Sequence, residues 1–262
     1  MLMMWGGCRG HQDRLLRSTG SPFPTSLREL PAGACMRGDP LLPTHDEPSS
    51  TRVYPSADER GIEDAVRALR AGHLAAFPTD TVYGVGCDLW QQAAIERIYW
   101  AKLRPRRMAI PALVSSPEGV CRVAGVLPLA FGALVGRFWP GALTVIVPRH
   151  PSVPEILCAG GLTIAVRMPD HPLALRLIAA MGGALAVTSA NLSGRPSPTT
   201  AATVLAELDG RVAVLLDGGV CPGGVASSIV DLTVSPPRLL RQGGLDMAAL
   251  REMLPDLAPP GT

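Results

Sequence analysis

Residues 56–88 read SADERGIEDAVRALRAGHLAAFPTDTVYGVGCD. Ser56 and Glu59 have the spacing of a capping box, Ile62, Val66 and Leu69 share one helical face, and Gly72 stands where a helix stops. The pattern predicts a helix. HLAAFP (73–78) then reads as a short buried strand, and TDTVYGVGCD (79–88) as the loop leaving it. Helix, apolar strand and polar loop are the parts of an α/β fold.

The alternation runs on in both directions. Upstream, residues 1–52 are rich in Pro, Gly, Ser and charge and carry no period, which predicts a disordered N-terminal tail. Downstream, 91–102 and 128–139 read as helices, and 109–114, 142–147 and 163–167 as strands. Residues 171–182, 199–208 and 245–254 are helical, and 184–190, 212–217, 228–232 and 237–241 are strands. Apolar strands of four to seven residues between helices predict a sheet covered on both faces. The last strands follow one another without helices, so part of the sheet is expected to be antiparallel. One domain over 53–255 and a C-terminal tail over 256–262 complete the organisation.

Composition narrows the function. The net charge is +2 and aromatics are 4%, so nothing global demands nucleic acid or an anionic membrane. The six cysteines form no CxxC and the five histidines no ligand cluster, which predicts incidental thiols in a reducing compartment. No apolar run approaches the length of a membrane span, and the N-terminus lacks a signal-peptide core; a cytoplasmic protein is expected. Lys102 is the only lysine beside 23 arginines, and Asn191 is the only asparagine. A GC-rich genome explains the bias. A position that keeps Lys or Asn against it is a candidate for a role that Arg or Asp cannot fill.

The polar loops after the strands carry the candidate chemistry. Thr79 and Thr81, on either side of Asp80, present hydroxyls before Gly84 and Gly86, although an ordinary Asx or ST turn fits equally well. Lys102 and Arg104 end a helix. Charges complementing a helix dipole would explain Arg as well as Lys, so an anion site explains the lone lysine better. Arg167 ends a strand, where alone it reads as an edge charge. In 187–201, VTSANLSGRPSPTTA, hydroxyls and Gly194 run into a helix start, a phosphate-friendly geometry that is also a plain polar loop with a cap. Ser227, Ser228 and Arg241 lie near later strand boundaries. No His, Cys or carboxylate constellation accompanies them. That argues against a Ser-His-Asp triad or a zinc site and suits positioning and stabilisation of phosphate charge.

Taken in order, FPTDTVYGVGCD, KLR, FWPGALTVIV, TIAVRMPDHP, TSANLSGRPSPT and SSIVDL with LLRQGG resemble the YrdC-like family, the threonylcarbamoyl-AMP synthases, over about residues 55–245. The resemblance implies a YrdC-like twisted mixed sheet with helices on both faces and a concave basic cleft. It implies a nucleotidyltransferase that makes threonylcarbamoyl-AMP and pyrophosphate from L-threonine, bicarbonate or CO2 and ATP with Mg2+, toward N6-threonylcarbamoyladenosine in tRNA. Carried over by motif, Lys102 and Arg104 would be catalytic and hold phosphates. Thr81, Arg167, Ser189 and Ser227 would bind threonine. Thr163, Asn191, Ser197, Thr199 and Arg241 would complete the nucleotide site. No metal held by side chains is implied. The machinery that transfers the group to tRNA would receive the product, and weak tRNA or RNA binding would accompany it. The polar residue that many relatives carry after K-x-R is Met108 here, and an acidic pattern before the late strand is Ala226-Ser227-Ser228. Two other readings are a basic-cleft RNA-binding or ribosome-maturation protein, and a carbamoyl-transfer domain of the hydrogenase-maturation kind.

Overall fold

The helix at 59–70 is capped by Asp58, whose side chain accepts from the Arg60 N–H at 3.0 Å. The capping box expected of Ser56 and Glu59 does not form, because the N-cap is Asp58 and Glu59 is the first helical residue, where it pairs with Arg176. The computed structural model describes residues 50–260. In chain order its elements are β1 (Arg52–Pro55), α1 (Glu59–Arg70), β2 (Ala75–Phe77), β3 (Gly84–Cys87), α2 (Gln92–Ala101), β4 (Ala112–Val114), α3 (Ala130–Phe138) and β5 (Leu143–Pro148). There follow β6 (Thr163–Arg167), α4 (Pro172–Ala180), β7 (Ala184–Ser189), α5 (Ala201–Leu208), β8 (Val214–Asp217), β9 (Ser228–Asp231), β10 (Arg238–Arg241) and α6 (Met247–Met253).

All ten strands join one sheet in the order β1-β8-β2-β3-β7-β4-β6-β5-β9-β10. The outer pairs β1/β8, β2/β8 and β5/β9 and the inner pair β4/β6 are parallel, while β2/β3, β3/β7, β4/β7, β5/β6 and β9/β10 are antiparallel. The sheet is mixed, as expected. Most of its antiparallel character lies at the centre, however, rather than among the last strands.

Two strands differ from the sequence reading. Gly84–Cys87 was expected as loop and is a fully buried strand, pairing with Phe77 on one side and Ser189 on the other. Glycine is depleted in strands, but a Cβ at Gly84 would stand 2.7 Å from Val187 Cγ1, so the close packing here requires its absence. Arg52–Pro55, read as the end of the tail and the start of the domain, is the edge strand β1.

Adjacent residues of β2 point into opposite cores. Ala75 and Phe77 pack with Leu69 of α1 and Leu177 of α4, whereas Leu74 and Ala76 join the core that holds Ile95 and Ile98 of α2. Helices therefore cover both faces, and each fully buried large side chain stabilises the sheet by about 1.5–3 kcal/mol. On α1 the buried face is centred on Ala65, Ala68 and Leu69, with Ile62 and Val66 half-buried at its margin. The N-terminal tail expected over 1–52 lies, up to residue 49, outside the described residues. At the other end, Leu257 is buried and the Leu239 N–H donates to the Ala258 carbonyl at 2.9 Å, so the chain stays on β10 beyond the boundary expected at 255.

Candidate functional site

A cavity of about 800 Å³ opens over the sheet where the loops after β2, α2, β7 and β8 converge. Lys102, Arg104, Arg167, Arg195 and Arg241 line it, and no carboxylate is among the lining residues. Five cations without a lining anion make a receptor for phosphate or carboxylate groups. The floor is partly apolar, with Ile146, Ala165 and Val187 facing inward from three strands.

Arg167 sits at the end of β6, buried, and is held on three sides. Its Nε donates to the Gly141 carbonyl at 2.9 Å, one terminal nitrogen to Thr81 Oγ1 at 2.9 Å, and the other to Asp80 Oδ1 at 2.6 Å. A guanidinium has five N–H groups, so two remain for a ligand. Burial pushes the Arg167 pKa down and Asp80 opposes that shift. Asp80 also accepts the Asp170 N–H at 3.1 Å, tying the β2–β3 loop to the turn after β6. Gly223 packs against the β2–β3 loop, where a Cβ would lie 2.6 Å from the Asp80 carbonyl oxygen.

α2 ends in a C-terminal motif that splits Lys102 from Arg104. The Arg104 N–H reaches back to the Tyr99 carbonyl and the Leu103 N–H to that of Trp100, with Leu103 left-handed at φ 51°. A non-glycine residue there costs roughly 1 kcal/mol. Lys102 turns inward and is 1% exposed. Its Nζ donates to the main-chain carbonyls of Ser189 and Asn191, and Asn191 Oδ1 lies 3.5 Å away. Two of its three protons are thus taken by carbonyls, and the third has only the long contact to the Asn191 side chain. Burial, with the charge of Arg104 in second place, pulls the Lys102 pKa down to about 7, against a smaller opposing effect of Glu207. Arg104 turns back onto its own loop, donating to the carbonyls of Met108 at 3.1 Å and Ala109 at 2.7 Å.

On the far side, Ser227 is buried and shares a 2.7 Å hydrogen bond with Thr144. Arg241 donates to the Ser227 carbonyl at 2.9 Å and to its hydroxyl at 3.3 Å. Gly243 lets this arm close, because a Cβ there would stand 2.3 Å from the Ala226 carbonyl oxygen.

The cavity brings together Thr81, Lys102, Arg104, Arg167, Ser189, Asn191, Ser197, Ser227 and Arg241. Two candidates stay out of its lining. Thr163 starts β6, exposed and paired with Pro148, about 13 Å along the strand from Arg167. Thr199 gives its carbonyl to the Cys221 N–H at 2.8 Å and is not a lining residue. Sequence reasoning passed over Thr144 and Arg195. Thr144 stands in an apolar strand, where threonine is an ordinary residue. Arg195 is one of many arginines in a chain that uses Arg for nearly every base. Among the described residues no group of three or more His, Cys, Asp or Glu could hold a metal ion.

A cationic cavity floored by a mixed sheet, with one buried arginine presenting spare donors, defines a protein built to bind anionic ligands. The chain belongs to the Sua5/YciO/YrdC family, whose model, described as telomere recombination, matches residues 67–243. It is 40% identical over 200 residues to a protein of Pyrococcus abyssi named threonylcarbamoyl-AMP synthase, covering 76% of this chain and 59% of that one. It is 42% identical over 191 residues to a Bacillus subtilis protein of the same name, covering 72% and 55%. The fold matches the crystal structure of P. abyssi Sua5 complexed with L-threonine, with a TM-score of 0.77, 38% identity and coverage of 80% and 62%. The chain therefore spans less than two thirds of the length of these relatives.

Proposed function

We propose that this protein is an L-threonylcarbamoyladenylate synthase, joining L-threonine, bicarbonate or CO2 and ATP into threonylcarbamoyl-AMP and pyrophosphate. One observation carries the reading: a single cavity holds a buried arginine with two spare N–H donors and, apart from it, several further cations. The first suits the carboxylate of an amino acid and the others a triphosphate. The name borne by the relatives, and the threonine in the P. abyssi complex, support that assignment.

In this reading Arg167 grips the threonine carboxylate through its free N–H groups. The amine, in its neutral form, adds to CO2 and gives up a proton, forming a carbamate. The carbamate oxygen attacks the α-phosphorus of ATP in line, a new P–O bond forms, and the bond to the β-phosphate oxygen breaks to release pyrophosphate. Lys102, Arg104, Arg195 and Arg241 stabilise the charge that builds on the phosphate oxygens. The lining offers hydroxyls but no carboxylate, so Mg2+ enters with the triphosphate as part of the substrate, held by phosphate oxygens and water.

The product would pass to the enzyme system that places threonylcarbamoyl on tRNA adenosine, in the cytoplasm. No helix among the described residues is long and apolar enough to cross a membrane. The test is pyrophosphate release from ATP with bicarbonate and single amino acids. Release that needs both L-threonine and bicarbonate is expected. Salt-sensitive RNA binding with no such turnover would favour an RNA-binding role instead.

A further inference from the structure

The Thr79 and Thr81 hydroxyls, both buried, lie 3.0 Å apart, and the bond between them has a direction. Thr79 Oγ1 has one proton, and the Val82 carbonyl, 2.7 Å away, can only accept it. The Thr81 and Val82 N–H groups, at 3.2 and 3.3 Å, share one lone pair of Thr79 Oγ1, which leaves its second lone pair for the Thr81 hydroxyl. Thr79 has no proton left for Thr81, so the Thr81 hydroxyl must donate to Thr79. Thr81 Oγ1 meanwhile accepts from Arg167 at 2.9 Å. A one-way relay results, from Arg167 to Thr81 to Thr79 to the Val82 carbonyl.

A hydroxyl carries one proton and two lone pairs. Thr81 spends its proton on Thr79 and one lone pair on Arg167, so a single lone pair remains for the cavity. The geometry points to Thr79 as a positioning residue that makes Thr81 an acceptor toward the substrate. Arg167 supplies only donors beside it. The pair therefore reads an amino acid with the right polarity, taking the carboxylate on Arg167 and an N–H or O–H of the same molecule on Thr81. Without Thr79 the Thr81 proton is no longer held away from the cavity, and the acceptor toward the substrate is no longer fixed.

This inference rests on the cavity being the threonine site, and the experiment separates the two. Steady-state kinetics and calorimetric L-threonine binding are measured on wild type, Thr79→Val, Thr79→Ser and Thr79→Cys, with thermal melts of each. Thr79→Val removes the proton acceptor at nearly constant volume and is expected to raise the KM for L-threonine about tenfold, the worth of one oriented hydrogen bond. The KM for ATP stays within about twofold, and Thr79→Ser restores the wild-type value. Thr79→Cys keeps a small side chain with a weak acceptor, shifts KM the same way by less, and gives the readout if the valine variant does not fold. A folded Thr79→Val or Thr79→Cys with unchanged threonine KM, or with threonine and ATP KM raised alike, overturns the role of Thr79 alone. A wild-type protein that binds no L-threonine overturns the site assignment with it.

Discussion

The Lys102 ammonium lies between the main-chain carbonyls of Ser189 and Asn191, and the Asn191 amide donates in turn to the carbonyls of Leu192 at 2.9 Å and Arg195 at 2.7 Å. The only lysine and the only asparagine of the chain hold one loop together. A guanidinium is too broad and planar for that buried seat, and an aspartate has no proton to give the two carbonyls. Both singletons are thus explained by geometry at the rim of the cavity.

Lys102→Ala is expected to lower threonine-dependent pyrophosphate release by about 100-fold or more, as removal of a preorganised charge-stabilising donor does. Lys102→Arg fares little better, because overpacking a seat that is 1% exposed costs about 1–3 kcal/mol and shifts the loop. Retention of near-normal turnover by Lys102→Ala removes the lysine from the chemistry.

Asn191→Asp keeps the shape and reverses the hydrogen bonding. Two part-buried carbonyls lose their donor, at about 1 kcal/mol each. A thermal melt should show a Tm lower by several degrees, together with weakened ATP binding. An unchanged Tm means that the amide protons do not hold the loop.

Lys102 also gives the protein a pH signature. Its folded pKa of about 7 lies below the 10.5 of a free lysine, because burial penalises the charged form. Below pH 7 both the folded and unfolded states carry the proton and the penalty is felt in full. As the pH rises from 7 toward 10.5 the folded state loses the proton first, so this group adds stability with rising pH, by up to about 1.4 kcal/mol per unit. Denaturant titrations of wild type and Lys102→Met between these limits should diverge in that direction. A difference that does not change with pH contradicts the assignment.

Asp80→Asn removes the charge beside a buried guanidinium. Arg167 is expected to lose its fixed plane, raising the KM for L-threonine more than that for ATP, and the fold is expected to lose about 3 kcal/mol. Equal stability and unchanged kinetics would show that Thr81 and the Gly141 carbonyl suffice to hold it.

Much of this was legible before the structure, for identifiable reasons. Apolar runs with β-branched residues gave most of the strands, and Thr163–Arg167 was placed to the residue. The strand β3 was hidden because its glycines serve close packing against Val187, a tertiary demand that no local propensity carries. β1 was hidden because a four-residue edge strand, mostly exposed, shows no alternation. The oddity of Lys102 and Asn191 was visible in composition, but not that they touch. Thr163 was assigned with Arg167 from the same motif, yet depth along a strand is set by where the cavity stops. Asp80 was seen only as a loop residue, because its partner lies 87 residues away.

The most direct test of the account follows the carbon. The protein is incubated with MgATP, L-threonine and heavy-carbon bicarbonate, and the nucleotide product is weighed by mass spectrometry alongside pyrophosphate. A threonine-containing adenylate that gains one mass unit from the labelled carbon, formed in step with pyrophosphate, is expected. Pyrophosphate released without threonine, or an adenylate that carries no label, would contradict it.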